Sequence, residues 1–367
     1  MEFGLNESQE ILRDSARQFF TGECPMSEVR RLMETDTAFD QRLWTKFAEQ
    51  GYTGITFPEE AGGVGLGCVE LILLMEEAGR ALLPGPFFST VALAGSIAHT
   101  VGTAAQGKEY LPRIGRGEAR ATLAFLESDA SWNPAALQMV AKNDKLTGEK
   151  LFVTDAAIAD WMLVAANNGV FLVQSNAAGL RIQPMLGMDL TRKIYAVQFD
   201  HTPAEKLAEL SAISKGLDIA AVALCAEMVG GMQRMLDLTV EYAKTRKQFG
   251  KPIGMFQAVQ HQCADMYLET ESARSAVYYA AWAVEHESPD AAAAASIAKI
   301  YTSDAARTVG NRAIQIHGGM GFTWENDIHL YYRRAKSSET MFGDATFHRE
   351  RLATHVIDAG STAAQHA

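Results

Sequence analysis

Lys244-Thr245-Arg246-Lys247-Gln248-Phe249-Gly250-Lys251-Pro252-Ile253-Gly254-Met255-Phe256-Gln257 joins two long helical patterns. Before it, Leu217, Leu224, Met228, Met232 and Leu236 form one apolar stripe. After it, Val259, Cys263, Met266, Ala273, Val277 and Val284 form another in steps of three and four. Two further helices are expected over residues 289–316 and 345–358. Amphipathic helices joined by short connections bury their stripes against each other, so residues 205–367 are expected to form an antiparallel four-helix bundle. Taken alone, the joint reads as an ordinary basic helix end and turn, its Arg and Lys offsetting the helix dipole.

Working outward, residues 1–118 read as an all-helical domain. Asn6 and Gln9 have capping-box spacing, and Ile11, Ser15 and Phe19 continue on one face. Leu43 and Phe47 share a face. Val69, Ile72 and Leu73 can bury one side of a helix whose Glu76 and Glu77 are expected in solvent. The loop over residues 58–67 holds four glycines, which mark either close contact with a ligand or a plain connector.

Residues 119–204 have a different texture. Short apolar runs at 121–125, 150–154, 161–165 and 170–173 are separated by Asn-Asp, Asn-Asn-Gly and Ala-Ala-Gly turn signals. A small β-barrel-like domain is expected, and the lack of long crossover helices argues against a doubly wound nucleotide-binding sheet. The whole chain therefore reads as mostly α with a central β domain.

A net charge of −11 argues against nucleic-acid or anionic-membrane surfaces, so a phosphate-bearing ligand must be held by local donors. Cys24, Cys68, Cys225 and Cys263 lack metal-ligand spacing and read as reduced thiols, with no metal expected. No apolar stretch is long and charge-free enough to span a bilayer, and the N-terminus has no cationic region leading into an apolar run, so a cytoplasmic protein is expected.

Arg246 to Gly250 with Gln257, and Gln315-Ile316-His317-Gly318-Gly319 some 60 residues later, resemble the two cofactor-contacting signatures of acyl-CoA dehydrogenases. The order of helical domain, β domain and helical bundle is similar to that family over nearly the whole chain, most strongly from Asp237 to Phe322. The resemblance implies FAD as cofactor, an acyl-CoA thioester as substrate and an electron-transferring flavoprotein as acceptor of the electrons. In the family a carboxylate takes the α-proton, hydrogen bonds stabilise the developing enolate, and the flavin accepts the β-hydrogen. The resemblance also implies that Arg246, Phe249 and Gln257 reach the FAD of a neighbouring subunit, a planar guanidinium suiting a phosphate. The glycines Gly318 and Gly319 beside Gln315 would let backbone approach a cofactor closely. Phe152 and Thr154 stand where the family places an aromatic ring and a hydroxyl on the flavin, although Phe-Val-Thr is also ordinary strand composition. The family's upstream flavin loop is not recognisable in residues 127–133.

The family's Tyr-Glu-Gly-Thr, whose Glu is the base, corresponds here to Met341-Phe342-Gly343-Asp344. Phe342 cannot take a proton, and Asp344 would repel a nearby pyrophosphate unless paired or turned away. Asp218 and Glu241 are other carboxylates on the helix from which some members supply the base, and Glu339 is a third nearby; each also reads as a solvated charge. Signatures that serve a neighbour's FAD are thus intact while those for the chain's own flavin and base are eroded. This pattern resembles the subunit without the base in α2β2 acyl-CoA dehydrogenases of actinobacteria that act on steroid side chains. A paralogous subunit is then the expected partner. A homotetramer with a displaced base and a non-catalytic scaffold of the same fold stay open as alternatives.

Overall fold

A computed structural model describes residues 4–102 and 104–358. Helices α1 (Glu7–Glu23), α2 (Met26–Met33), α3 (Gln41–Glu49), α4 (Cys68–Arg80), α5 (Ser96–Val101) and α6 (Ala104–Gly115) come first. Strands β1 (Ala121–Ala124), β2 (Lys145–Thr154), β3 (Trp161–Ala166), β4 (Gly169–Gln174), β5 (Leu180–Met185), β6 (Ile194–Pro203) and β7 (Glu205–Ala208) follow. Then come α7 (Ile213–Thr245), a hairpin of β8 (Lys247–Gln248) and β9 (Lys251–Pro252), and α8 (Gln257–Glu285), α9 (Ala291–His317), α10 (Ile328–Thr340) and α11 (Ala345–Ala353). The architecture is mostly helical with strands in the middle, as the sequence texture predicts. Two compact units emerge, one of residues 27–71 and 84–220, the other of residues 4–26, 72–83 and 221–358.

The first unit carries the strands. A four-stranded sheet has the order β1-β3-β4-β7 and a three-stranded sheet the order β2-β6-β5, with only β1 and β3 pairing in parallel. Val164, Phe171 and Val173 from one sheet and Leu146, Val153, Tyr195, Val197 and Phe199 from the other fill a shared core. The glycine-rich loop before α4 resolves as a connector: a Cβ on Gly63 would lie 2.1 Å from the Phe57 carbonyl oxygen. Gly63 serves the chain's own close packing, while Gly62 and Gly65 hold positive φ of +74° and +73°.

The second unit is the helical bundle with α1 and the end of α4. The capping box forms as expected: Gln9 N donates to Asn6 Oδ1 at 2.9 Å and Asn6 N to Gln9 Oε1 at 3.1 Å. Along α7, Leu224, Met228, Met232 and Leu236 are all buried, and α8, α10 and α11 pack on α9. Glu76 and Glu77 depart from expectation, for both are buried. Arg17 binds Glu77 at 2.6 and 3.0 Å, while Arg274 and Tyr278 each reach Glu76 at 3.0 Å. The hydrophobic stripe marks the core-facing side but cannot reveal partners supplied by distant helices, and paired carboxylates can be buried where lone ones cannot.

Candidate functional site

The joint between α7 and α8 is built by its own backbone. Arg246 N still donates to Tyr242 O at 2.8 Å, and the chain then reverses through the β8–β9 pairs Lys247↔Pro252 and Gln248↔Lys251. The two turn residues, Phe249 and Gly250, have φ of +52° and +80°, as a type I′ hairpin demands. Gly250 adopts this without penalty; Phe249 pays on the order of 1–2 kcal/mol. Its ring is also 91% exposed. A strained backbone that holds a large apolar ring in water is what a surface awaiting a ligand or another chain looks like. Arg246 and Gln257, the first residue of α8, are likewise exposed. Lys244, Arg246, Lys247 and Lys251 make this corner a local cationic patch on an acidic protein.

The second motif lies at the same end of the bundle. The ring of Tyr242, near the end of α7, stacks on that of His317 at the end of α9, with centroids 4.4 Å apart. Tyr242 Oη donates to His317 O at 3.4 Å. His317 is buried, which pushes its imidazole below the ordinary histidine range. Its role is packing, and it anchors what flanks it. Gln315, Gly318 and Gly319 are exposed, and a Cβ on either glycine would meet nothing within 4 Å. Gly318 has φ +59° and ψ −139°, a conformation essentially reserved for glycine. Gln315 and Gly318 line a cleft of about 510 Å³ with Asn311, Ile314, Phe322 and Tyr332. Exposed guanidinium, exposed amides, bare glycine backbone and an open cleft suit a ligand that carries phosphates on an extended, partly aromatic body.

Phe152 and Thr154 belong to the strand-bearing unit. Phe152 sits in a bulge of β2, with φ +55° and its ring 44% exposed. Thr154 is buried, and its hydroxyl lies 3.5 Å from that of Thr122, whose Oγ1 also donates to Thr154 O at 2.6 Å.

No unpaired carboxylate takes over at the Met341–Asp344 turn. Phe342 is buried, with φ +59°, and its carbonyl accepts from His348 Nε2 at 3.0 Å. Asp344 is turned to a structural use as the N-cap of α11, accepting from Phe347 N at 2.8 Å. Glu339 is spoken for by Arg307 at 2.9 Å and Lys336 at 2.7 Å. Asp218 is buried on the first part of α7 in the strand-bearing unit, and Glu241 is exposed near that helix's end.

In the helical bundle, the buried cations Arg334 and Lys299 escaped the sequence reading. Arg334 Nη1 binds Glu227 on α7 at 2.6 Å, and both side chains are almost fully buried. Lys299 is completely buried on α9, donating to Ser303 Oγ and to the carbonyls of Ser338 and Glu339 at the end of α10. Burial lowers its ammonium to about 8. Both positions interrupt apolar faces, the one sequence signal that could have flagged them.

Among the described residues no group of His, Cys, Asp or Glu could hold a metal ion, and no helix is long and apolar enough to cross a membrane. Residues 6–118 match the acyl-CoA dehydrogenase N-terminal domain and residues 210–357 its C-terminal domain. Acyl-CoA dehydrogenase IpdE2 of Mycolicibacterium smegmatis is 33% identical over 354 residues, 96% of this chain and 100% of that protein. Among solved structures, the Tcur3481-Tcur3483 steroid ACAD superposes with a TM-score of 0.89 at 32% identity, covering 97% of this chain and 99% of that one. The FAD complex of PigA superposes with a TM-score of 0.89 at 25% identity, over 97% and 99%. With two domain models spread over most of its length and a relative matched from end to end, this chain belongs to the acyl-CoA dehydrogenase family.

Proposed function

We propose that this chain is an FAD-binding subunit of an acyl-CoA dehydrogenase whose catalytic base is supplied by a paralogous subunit. The observation that carries the reading is the turn at Met341–Asp344. There a buried Phe342 takes the base position, and Asp344 is consumed as a helix cap. Arg246, Phe249 and Gln257 are exposed at one end of the bundle, and the Gln315–Gly319 backbone lies at the same end. Arg246 would pair with the pyrophosphate of FAD, Phe249 would cover apolar surface of the cofactor or its subunit, and Gln315, Gly318 and Gly319 would line its approach. Phe152 and Thr154, in the strand-bearing unit, would meet the ring of a different flavin from the neighbouring subunit's FAD that Arg246 serves. When bound, FAD supplies the two-electron acceptor for α,β-desaturation of an acyl-CoA, and an electron-transferring flavoprotein is the proposed reoxidant. The chain's own residues bind and orient; none of its carboxylates near the turn is poised to take a proton. The two-component steroid ACAD among its structural relatives supports a heteromer and a bulky acyl group. A cytoplasmic location goes with this reading.

The test is the flavin-to-chain ratio of the native complex, with the identity of any co-purifying chain. The expected result is a second acyl-CoA dehydrogenase chain, with activity only when both are present. Full activity and one flavin per chain from the homomer would overturn the proposal. It would favour a homotetramer with a displaced base, in which case Asp218→Ala or Glu241→Ala should cost orders of magnitude in turnover.

A further inference from the structure

Lys150 is fully buried in β2, two residues before Phe152. Side chains alternate across a strand, so residues 150, 152 and 154 belong on one face. Lys150 is buried, and Leu146 before it and Val153 past the shift lie in the core, yet Phe152 is exposed. The register with β6 shifts between Lys150 and Val153, and the left-handed backbone of Phe152 makes that shift. Without the bulge, the aromatic ring would lie in the core rather than on the surface where a flavin can meet it.

Three contacts stitch the bulge to the end of β1. Leu151 N donates to Leu126 O at 2.8 Å; Lys150 Nζ donates to Phe125 O at 2.9 Å and binds Glu127 Oε1 at 2.8 Å. Glu127 in turn accepts from Gln138 N at 2.7 Å and Met139 N at 3.0 Å. Burial alone would raise the Glu127 carboxyl, but the ammonium and these two amides outweigh it and hold it below the usual carboxylate range. Burying an ion pair costs desolvation that an apolar pair would not, so its presence indicates a demand for specific geometry rather than for stability.

We infer that Lys150, clamped by Glu127 and the Phe125 carbonyl, is a positioning residue that fixes the β2 bulge and so presents the Phe152 ring to the flavin. The inference rests on the flavoprotein reading above.

Because Lys150 acts through Phe152, the two positions must be coupled. FAD dissociation constants are measured by titration of the complex purified with its partner chain, as wild type, Lys150→Met, Lys150→Arg, Phe152→Ala and the Lys150→Met/Phe152→Ala double variant. Lys150→Met should weaken FAD about tenfold, in the range that supporting residues typically show. Lys150→Arg should recover most of the loss, and the double variant should be no weaker than Phe152→Ala alone. Amide exchange at Leu151, followed in the apoprotein, should quicken in Lys150→Met and not in Lys150→Arg. Multiplying effects in the double variant, unchanged FAD affinity in Lys150→Met, or unchanged exchange at Leu151 would each overturn the inference. If Lys150→Met does not fold, Glu127→Gln replaces it in the same cycle under the same criteria. A wild-type complex that takes up no FAD would overturn the flavoprotein reading and this inference together, a result distinct from any pattern among the variants.

Discussion

His348 Nε2 lies 3.0 Å from the carbonyl oxygen of Phe342, and the same imidazole's Nδ1 lies 3.3 Å from Ser296 Oγ. A carbonyl can only accept, so Nε2 carries the proton and Nδ1 accepts from the serine hydroxyl. Burial, with help from the nearby Lys299 ammonium, lowers the imidazole to about 4 and keeps it neutral at pH 7. The turn at Phe342 is thus buttressed from inside by a neutral histidine.

That pairing makes the fold acid-sensitive in a defined window. The unfolded imidazole takes a proton near 6.5 and the folded one only near 4, so the unfolded state binds more protons between those values. Stability is fully present above 6.5 and is lost as pH falls toward 4, by roughly 3 kcal/mol. Urea unfolding from pH 7 to 4 should show this slope. In His348→Gln, which cannot titrate, the slope should shrink by that amount; an unchanged slope would remove His348 as its source.

Arg246 is exposed and sits just past the end of α7, so Arg246→Ala should change unfolding free energy by no more than about 0.5 kcal/mol. FAD affinity should fall by tenfold or more, because a charge-assisted phosphate contact is lost. Arg246→Lys should restore little of it, since a point charge lacks the planar fork. Equal affinity for FAD in all three proteins would sink the assignment.

Gly318 and Gly319 separate strain from occupancy. A Cβ at either position meets open space, but only Gly318 has a positive φ. Gly318→Ala should therefore cost on the order of 1–3 kcal/mol in stability, while Gly319→Ala costs almost nothing. If a cofactor lies along this backbone, Gly319→Ala should weaken FAD binding with an unchanged melting temperature. Wild-type affinity would show that nothing approaches it closely.

The Arg334–Glu227 pair should behave as a buried ion pair. Arg334→Met leaves Glu227 without its guanidinium partner in the bundle and should cost about 3–5 kcal/mol, whereas Arg334→Met with Glu227→Leu should recover most of it. Chemical denaturation of the two variants and the wild type decides. Additive losses would mean that the two side chains act independently.

Periodicity and turn chemistry alone determined much of this protein. The stripes through Leu224 and Met266, the Asn6–Gln9 cap and the strand texture between residues 119 and 204 are local signals, and each appears in the structure. The arginine and glycine motifs that carry the family resemblance were equally legible, because they are residue identities at fixed spacings. Tertiary structure decided the rest. It brought Tyr242 against His317, so that two motifs distant in sequence share one end of a bundle. It buried Glu76, Glu77, Glu227, Lys150 and Lys299, which a pattern of apolar and polar letters places in water. It also turned Asp344 into a helix cap and Phe152 outward through a bulge. A charge can leave water only when a partner distant in the chain meets it, and no local pattern encodes that partner.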